Sequence, residues 1–571
     1  MLARTLGCLA ISAMFAGALP AQSADSIHYF VAPVMNGRAL AGLAVEIRFA
    51  GDADGETRLQ LPETWAGSDS LWRQIDSVRV QGGASVREDG PGARLIAHAP
   101  GAPLVVRYRV ASAYAGDPAF AYEKARPIIL PGWFFFHGEG VFAVPEGRGE
   151  APASFAWRDV PAGWTIASDL DHLRGTRAGT VADISESAAI GAPDLAILER
   201  PVGGAPLRIA TRGSWRFPVD SLADAVAAIV DAENRFWGDA GRPFLVPVAP
   251  LGGTGDSYSI SGTGRSDGFS IAATSTFSLA QAAHLLAHEY MHTWNARELG
   301  GLAETDQALG YWFSEGFTDF FAARILLRAG LWTPAEYVAK LDTVLMRYAT
   351  SAARTAPNAQ LAERFWSDRA YEQMPYYRGH LFAILLDDRI RRATAGRADL
   401  DDVMQAQRAA TRPGERQAGH ADAARLFPSV LRERFGIDVS DDIARHVDRG
   451  EPVLLPADLY GPCATVQTIT QPEFHRGFDL AATEAAGGVV TGLDPAGPAF
   501  AAGMRDGMRI IRREAGSPGD SSVEYVYRVD DGGTERLIRY LPAGRGTITF
   551  QRVVLSPDAS STQCVARMGG A

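Results

Sequence analysis

The residues best suited to chemistry are His288, Glu289 and His292, which form a His-Glu-x-x-His pattern. Two histidines at this spacing share one face of an α-helix, so both imidazoles can reach one metal ion while the glutamate projects beside them. Glu315, in an aromatic-rich segment further along, offers a third ligand. Two imidazoles and a carboxylate suit one Zn²⁺ ion with a fourth position left for water.

Helix signals surround these residues. Ser278 and Gln281 form a capping-box sequence, and neither Gly nor Pro follows before Leu299, so we predict that a helix starts at this point. A second start is predicted at Thr333, which a proline follows. Asp319 follows Glu315 by one helical turn; it either orients a ligand histidine or is a solvated or capping carboxylate.

Composition limits the class of protein. The chain of 571 residues suggests roughly three domains. Hydrophobic residues make up 47% and charged residues 21%, values typical of a globular protein rather than a disordered or fibrous one. The net charge is −11, and no basic block is present, so a nucleic-acid partner is not expected.

The N-terminus has the pattern of a secretory signal. Arg4 precedes an apolar run from Leu6 to Leu19, and small residues follow, so we predict a signal peptide over 1–24. No later stretch is apolar enough to predict a membrane span, which suggests a periplasmic or secreted protein. In such a compartment Cys463 and Cys564 either pair as a disulfide or remain thiols.

Hydrophobic patterning changes twice along the chain. The region 25–215 shows the two-residue alternation of strands, as in Leu43–Phe49 and Leu104–Val110, whereas 216–458 is mainly helical. The segment 459–571 reads as short strands and turns and forms a small separate module. The expected fold is therefore multidomain α+β. His137 and Glu139, beside an aromatic cluster in the first region, are expected to be structural.

His288–Asn295 and Trp312–Phe317 together resemble the glycyl aminopeptidase family of zinc metallopeptidases, relatives of thermolysin-like aminopeptidases. The resemblance covers nearly the whole mature chain. It implies a β-rich domain over 25–215, a thermolysin-like catalytic domain over 216–458 and a PDZ-like domain over 459–571. It also implies that the zinc ligands are His288, His292 and Glu315, and that Glu289 is the general base.

A second matching segment is Pro375–Gly379, which is similar to the Tyr-x-Lys/Arg-Gly segment of these enzymes. The resemblance implies that Tyr376 donates a hydrogen bond to the oxyanion of the tetrahedral intermediate. Its neighbour Tyr377 is the alternative, and core packing is the other explanation for that residue. Arg378 of the same segment is a candidate substrate-binding residue.

The chain departs from the family in the strand before the zinc helix. Family members carry a Gly-Gly-Leu-Glu-His-like strand whose Glu is expected to anchor the free α-amino group of the substrate. The corresponding stretch here, Gly262–Ser270, lacks that Glu. Asp267 is a shorter candidate replacement, and Gly264 is a second candidate for substrate binding. Losing a buried partner of an ammonium group costs about 2–5 kcal/mol, so hydrolysis is better supported than the aminopeptidase mode.

The C-terminal module resembles a PDZ domain. Gly477 and Phe478 stand where a carboxylate-binding loop is expected, and Ala501–Met508 resembles a characteristic turn of the family. Such domains bind the C-terminus of a peptide partner along a sheet edge. Peptide binding and a purely structural role both remain open.

These features favour an exported zinc aminopeptidase that acts on peptide or protein substrates with small N-terminal residues such as Gly or Ala. One alternative is a zinc endopeptidase that requires no free N-terminus. The other is a non-hydrolytic peptide-binding protein that uses its PDZ-like domain. Glu289 favours an enzyme, because a binding protein has no need of a general base.

Overall fold

The structure, a computed structural model, describes residues 26–81, 83–119, 125–173, 179–252, 259–265, 267–303, 305–411 and 422–570. The predicted signal segment lies outside this part of the chain. The predicted multidomain organisation is confirmed at the level of a β-rich N-terminal region followed by a helical region. Across the described residues, no helix combines the length and apolar character that a membrane span requires.

Strands dominate the N-terminal region. They are β1 (Ile27–Asn36), β2 (Ala39–Ala50), β3 (Glu56–Gln60), β4 (Ile75–Gln81), β5 (Ser85–Glu88), β6 (Ala93–Ala97), β7 (Pro103–Val110), β8 (Ile128–Leu130), β9 (Trp133–His137), β10 (Val144–Pro145), β11 (Pro152–Trp157), β12 (Thr165–Ser168), β13 (Gly179–Thr180) and β14 (Ala188–Ala192). A short helix, α1 (Val181–Ser185), lies among them. Three sheets result, ordered β13-β11-β1-β2-β7-β4, β10-β3-β6-β5 and β12-β14-β9-β8. The predicted alternation in β2 is confirmed, since its four apolar side chains are buried: Leu43, Val45, Ile47 and Phe49.

A five-stranded sheet lies beside the helices of the middle region. Its strands are β15 (Ala196–Val202), β16 (Ala205–Thr211), β17 (Phe244–Leu251), β18 (Ile260–Arg265) and β19 (Gly268–Thr274), in the order β15-β16-β17-β19-β18. The first two strands lie before the predicted boundary at 215/216. They nevertheless belong to this sheet, because β16 pairs in parallel with β17, which lies after the boundary. The helices α2 (Val219–Trp237) and α3 (Leu279–Met291) pack together beside this sheet.

The other helices complete the middle of the chain. They are α4 (Tyr311–Ser314), α5 (Gly316–Arg328), α6 (Pro334–Thr350), α7 (Asn358–Arg364), α8 (Arg369–Ala393), α9 (Leu400–Ala410), α10 (Ala423–Phe435) and α11 (Ser440–Asp442). The predicted starts of α3 and α6 are confirmed, with capping boxes at Ser278 and Thr333. One buried hydrophobic cluster joins these helices to the five-stranded sheet.

The C-terminal module has a small hydrophobic core of its own. Its elements are β20 (Ala464–Phe474), α12 (Leu480–Ala485), α13 (Pro498–Ala501), β21 (Arg509–Ala515), β22 (Tyr525–Asp531), β23 (Thr534–Tyr540), β24 (Ala543–Leu555) and α14 (Thr562–Gly569). β20 pairs with β24, and β21-β22-β23 form a separate sheet. Cys463 and Cys564 are joined in a disulfide, which resolves the open question in favour of pairing.

Candidate metal and catalytic centre

Helix α3 carries the His-Glu-x-x-His residues. Its capping box is complete: the Ser278 hydroxyl accepts from the Gln281 amide, and the Gln281 side chain accepts from the Ser278 amide. The helix ends at Met291, earlier than the absence of Gly and Pro up to Leu299 suggested. His292 is therefore the C-cap residue, and its Nδ1 donates to the Asn295 carbonyl at 2.8 Å.

Three predicted metal ligands converge on one point. Glu315 joins α4 to α5, and its Oε2 lies 3.3 Å from His288 Nε2 and 3.4 Å from His292 Nε2. The two Nε2 atoms are 3.2 Å apart. In the described part of the chain, these three residues are the group whose ligand atoms cluster closely enough for a metal ion.

The geometry of this cluster fits zinc. Tetrahedral coordination at about 2.0–2.2 Å separates two ligand atoms by about 3.3–3.6 Å, close to the three distances observed. His292 uses Nδ1 as a donor, and the Nδ1 of His288 faces the Asp319 carboxylate at 3.7 Å. Both Nε2 lone pairs are thereby left for a metal ion.

The predicted ligands also stabilise each other's charged forms electrostatically. Burial alone raises the pKa of Glu315, but His292 and His288 outweigh it and hold that pKa well below its usual range. Burial lowers the pKa of His292, and the nearby Glu315 reverses the effect and raises it to about 9. Glu315 is therefore ionised at neutral pH, as a metal ligand must be.

Glu289 lies between the ligand cluster and strand β18. It is buried, and a Cβ atom placed on Gly262 would lie 2.1 Å from its Cγ. A Cβ on Gly264 would lie 3.0 Å from the His292 Cβ. The predicted substrate-binding residue Gly264 thus provides space for the zinc helix. Asp267 lies buried in the turn after β18, and its carbonyl accepts from the Leu245 amide.

A close crossing of α5 and α8 brings the predicted oxyanion donor to the site. A Cβ on Gly316 would lie 2.4 Å from the Gly379 Cα, so both glycines allow the two backbones to touch. The Tyr376 ring then lies 5.9 Å from the His288 ring. Tyr377 points elsewhere and donates its hydroxyl to Gln373, so the register places Tyr376 beside the metal ligands.

Tyr376 keeps its proton over the working pH range. Burial, followed by the charges of Glu315 and Glu289, raises its pKa well above the usual value for tyrosine. A protonated phenol can donate a hydrogen bond to a developing oxyanion.

Arg378 is not brought into the site. Its guanidinium is buried and donates to the carbonyls of Arg354, Ala356 and Val447. The expectation that it binds substrate is corrected, because successive residues of a helix point in different directions and Arg378 faces away from His288. Its role is to hold neighbouring loops on α8.

Asp319 anchors a polar network behind the ligand His288. Its carboxylate accepts from Lys340 at 3.2 Å and from His380 Nδ1 at 3.0 Å, and its carbonyl accepts from His284 Nε2 at 3.0 Å. Burial raises its pKa, but Lys340 and the histidines dominate and hold that pKa well below its ordinary range. The structure thus favours the orienting role of Asp319 over the solvated or capping one.

Sequence reasoning missed the partners of Asp319. His284 precedes His288 by one helical turn, and this spacing places both side chains on one face of α3. Lys340 and His380 come from α6 and α8, and no local pattern relates them to α3. Only the packing of four helices, α3, α5, α6 and α8, brings the network together.

The N-terminal region contributes the other side of the site. His137 Nε2 lies 2.6 Å from the Ser270 hydroxyl, and Arg265 contacts both carboxylate oxygens of Glu139 at 2.7 and 2.8 Å. The Arg265 guanidinium also lies 4.9 Å from the Trp65 ring. His137 and Glu139 thereby fasten the N-terminal region to β18 and β19, beside the zinc helix.

The candidate peptide-binding residues, Gly477 and Phe478, belong to the C-terminal module. Gly477 has a φ of +94°, and its carbonyl accepts from the Asp494 amide. Phe478 is buried, with its ring 5.7 Å from the Tyr527 ring. Both residues therefore take part in the module's own packing, and ligand binding by them stays a prediction.

Known proteins resemble this chain in part of its sequence and in its fold. Residues 281–380, which span α3 to α8, match the M61 glycyl aminopeptidase family. An aminopeptidase N family protein from Idiomarina loihiensis has a TM-score of 0.67 at 15% identity, covering 95% of this chain and 100% of that chain. An M1 zinc metallopeptidase from Deinococcus radiodurans has a TM-score of 0.45 at 13% identity, covering 76% and 94%. No curated protein matches the sequence. The predicted family resemblance is confirmed.

Proposed function

We propose that this chain, a zinc metallopeptidase resembling the glycyl aminopeptidase family, hydrolyses peptide bonds at the cluster of His288, His292 and Glu315. The observation that carries the proposal is the convergence of two Nε2 atoms and one carboxylate oxygen beside Glu289. Zinc bound there would polarise the substrate carbonyl and acidify a water molecule. Glu289 would accept the proton of that water and later deliver it to the leaving amine.

Tyr376 supplies the second function in this mechanism. Its protonated hydroxyl would donate to the oxyanion that forms on the attacked carbonyl. Both reacting groups of the chain, Glu289 and Tyr376, lie on helices, which restrict their motion and limit the entropy lost on reaching the reactive geometry.

The proposed substrate is a peptide with a small N-terminal residue such as Gly or Ala. This mode needs an anion for the α-amino group. Asp267 is one candidate, and Glu372 is another, because it lies one helical turn before Tyr376 and contributes to raising the pKa of that tyrosine. If neither serves, the same machinery acts as an endopeptidase.

The test uses pairs of peptides that differ only in N-terminal acetylation, with cleavage products identified by mass spectrometry. Release of single residues from the free peptides alone supports the aminopeptidase mode, and internal cuts in both members support an endopeptidase. Glu289→Gln is expected to lower kcat by about 10²- to 10⁴-fold while the zinc content is unchanged. Full activity in that variant would refute the catalytic proposal.

The proposal also includes export of the enzyme and peptide binding by its C-terminal module. The signal pattern over 1–24 and the disulfide between Cys463 and Cys564 support a periplasmic or secreted enzyme, because disulfides persist in oxidising compartments. N-terminal sequencing of the mature protein tests export.

The module over 459–571 is proposed to be PDZ-like. Titration with peptides bearing free or amidated C-termini tests whether Gly477 and Phe478 bind a carboxylate.

A further inference from the structure

A cleft of about 1080 Å³ opens between the N-terminal region and the catalytic helices. One wall is the loop from Thr64 to Asp69, and the other combines the segment before α4 with helix α7 and the residues after it. Three aromatic side chains, Trp65, Tyr311 and Trp366, line it. A cleft of this size can hold a whole side chain together with the peptide backbone that carries it.

Each wall of the cleft contains a residue that contacts a metal ligand or the strand beside the metal ligands. On the catalytic side, Tyr311 lies one helical turn before Glu315, whose amide donates to the Tyr311 carbonyl. On the N-terminal side, Trp65 lies against Arg265 of β18.

The position of β18 completes the connection. Gly264 is the neighbour of Arg265 and packs against His292, so Trp65 is separated from a zinc ligand by one strand. The cleft therefore borders the strand that flanks the metal ligands, and a peptide bound at the zinc centre would extend towards it.

The lining of the cleft is aromatic and acidic. Trp366 is 59% exposed, an unusual environment for a large apolar ring, and its ring packs against Phe365 at 4.8 Å. Asp306 and Glu363 are exposed, and neither makes an ion pair with a described residue. Asp69 faces Arg126 at 4.0 Å. Among the described residues that line the cleft, none is Lys or Arg.

We infer that this cleft binds a basic side chain, Lys or Arg, of the peptide substrate. The inference rests on the proposed function and adds a substrate class to it. The long aliphatic stem would pack on Trp366 and Trp65, and the cation would interact with an aromatic face and with Asp306 and Glu363. A Gly or Ala side chain leaves the cleft empty, so the basic residue lies next to the small residue that is released or within a few positions of it.

The experiment uses Ala-based peptides in which each position in turn carries Lys, Arg, norleucine or Glu. Norleucine has the apolar stem of lysine without its charge. We expect one position at which Lys and Arg raise kcat/KM about tenfold over norleucine, equivalent to about 1.4 kcal/mol. Glu at that position is expected to lower it, and added salt should reduce the advantage of the basic residues.

Two variants assign the effect to the cleft. Trp366→Ala and the pair Asp306→Asn with Glu363→Gln are expected to reduce the advantage of Lys over norleucine to about twofold. All three residues are exposed, so the variants should fold normally. Glu484→Gln, an exposed carboxylate of α12, is the matched control and is expected to keep the wild-type preference.

Binding is measured in parallel, by calorimetry of the zinc-loaded Glu289→Gln variant with the Lys and norleucine peptides. Turnover without a preference for basic residues overturns the inference and leaves the proposed function standing. Tighter binding of the Lys peptide without any turnover by the wild-type enzyme supports the cleft and overturns the proposed function. Absence of both turnover and preferential binding overturns both.

Discussion

Replacing Asp319 by Asn tests whether the network behind the zinc centre supports metal binding. The Asp319 carboxylate lies 3.7 Å from His288 Nδ1, which is too long for a strong hydrogen bond, so the interaction is mainly electrostatic. Loss of such outer partners usually weakens metal binding by about 10- to 100-fold. At this distance we expect the lower end, an increase of about tenfold in the zinc Kd, or about 1.4 kcal/mol.

The same change affects the fold of the metal-free chain. His380 is buried, whereas the Lys340 side chain is 25% exposed, so solvent screens part of the loss of the Lys340 ion pair. The new amide oxygen can still accept from His380, which leaves about 1–3 kcal/mol of destabilisation. Zinc competition with a chromophoric chelator measures the first effect, and urea unfolding without metal measures the second.

Lys340→Met separates the two roles of the network. It removes the counter-ion of Asp319 but leaves the carboxylate that faces His288, so the metal-free chain should lose stability while its zinc Kd changes by less than about threefold. If Asp319→Asn destabilises the metal-free chain and still binds zinc within twofold of the wild type, the cluster is a structural ion network only, and the reasoning fails.

Three further variants follow from the structure. Tyr376→Phe should lower kcat by about 10²- to 10³-fold with little change in KM, as measured by steady-state kinetics, because only the transition state uses the phenol. Gly262→Ala should displace Glu289 and lower kcat about 100-fold, whereas Gly92→Ala, where the added Cβ meets Glu63 at an ordinary 3.7 Å, should not; equal activities would contradict the steric argument. Glu233 is fully buried with no hydrogen-bond partner for either carboxylate oxygen among the described residues, and burial raises its pKa well above the usual value. The contribution of Glu233 to the free energy of unfolding is complete below about pH 4.3 and is lost as the pH rises toward the folded-state pKa. The Gln side chain does not titrate, so the free energy of unfolding of Glu233→Gln relative to the wild type should be higher at pH 8 than at pH 5. Urea unfolding of both proteins over this pH range measures the difference, and a difference that does not change with pH would refute the reasoning.

Local patterns predicted the elements that carry the chemistry. The capping box at Ser278 fixes the start of α3, and helical spacing alone places His288 and His292 on one face. The end of α3 was not predicted, because no Gly or Pro marks it. The helix stops where His292 Nδ1 binds the Asn295 carbonyl, a contact that orients the imidazole.

Contacts between distant elements were beyond the reach of these patterns. The predicted boundary at 215/216 falls between β16 and β17, two strands that pair in the structure. Hydrophobic periodicity does not show which strands pair, so the boundary could not take this pairing into account. The same limit explains Arg378, whose position in the Tyr-Tyr-Arg-Gly segment suggested substrate binding. Its buried contacts with the Arg354 and Ala356 carbonyls depend on a loop that no motif connects to α8.

Glycine positions explain how the chain can depart from the glycyl aminopeptidase pattern and keep the geometry of the proposed catalytic centre. Gly262 and Gly264 of β18 are required by the zinc helix, since any side chain at Gly262 would collide with Glu289. Strand β18 therefore retains its role in shaping the site even though it lacks the acidic residue expected to hold an α-amino group. Shaping of the general base and recognition of the substrate are separate tasks, so loss of the second does not require loss of the first. Recognition is then free to shift outward, to surfaces such as the cleft lined by Trp65 and Trp366.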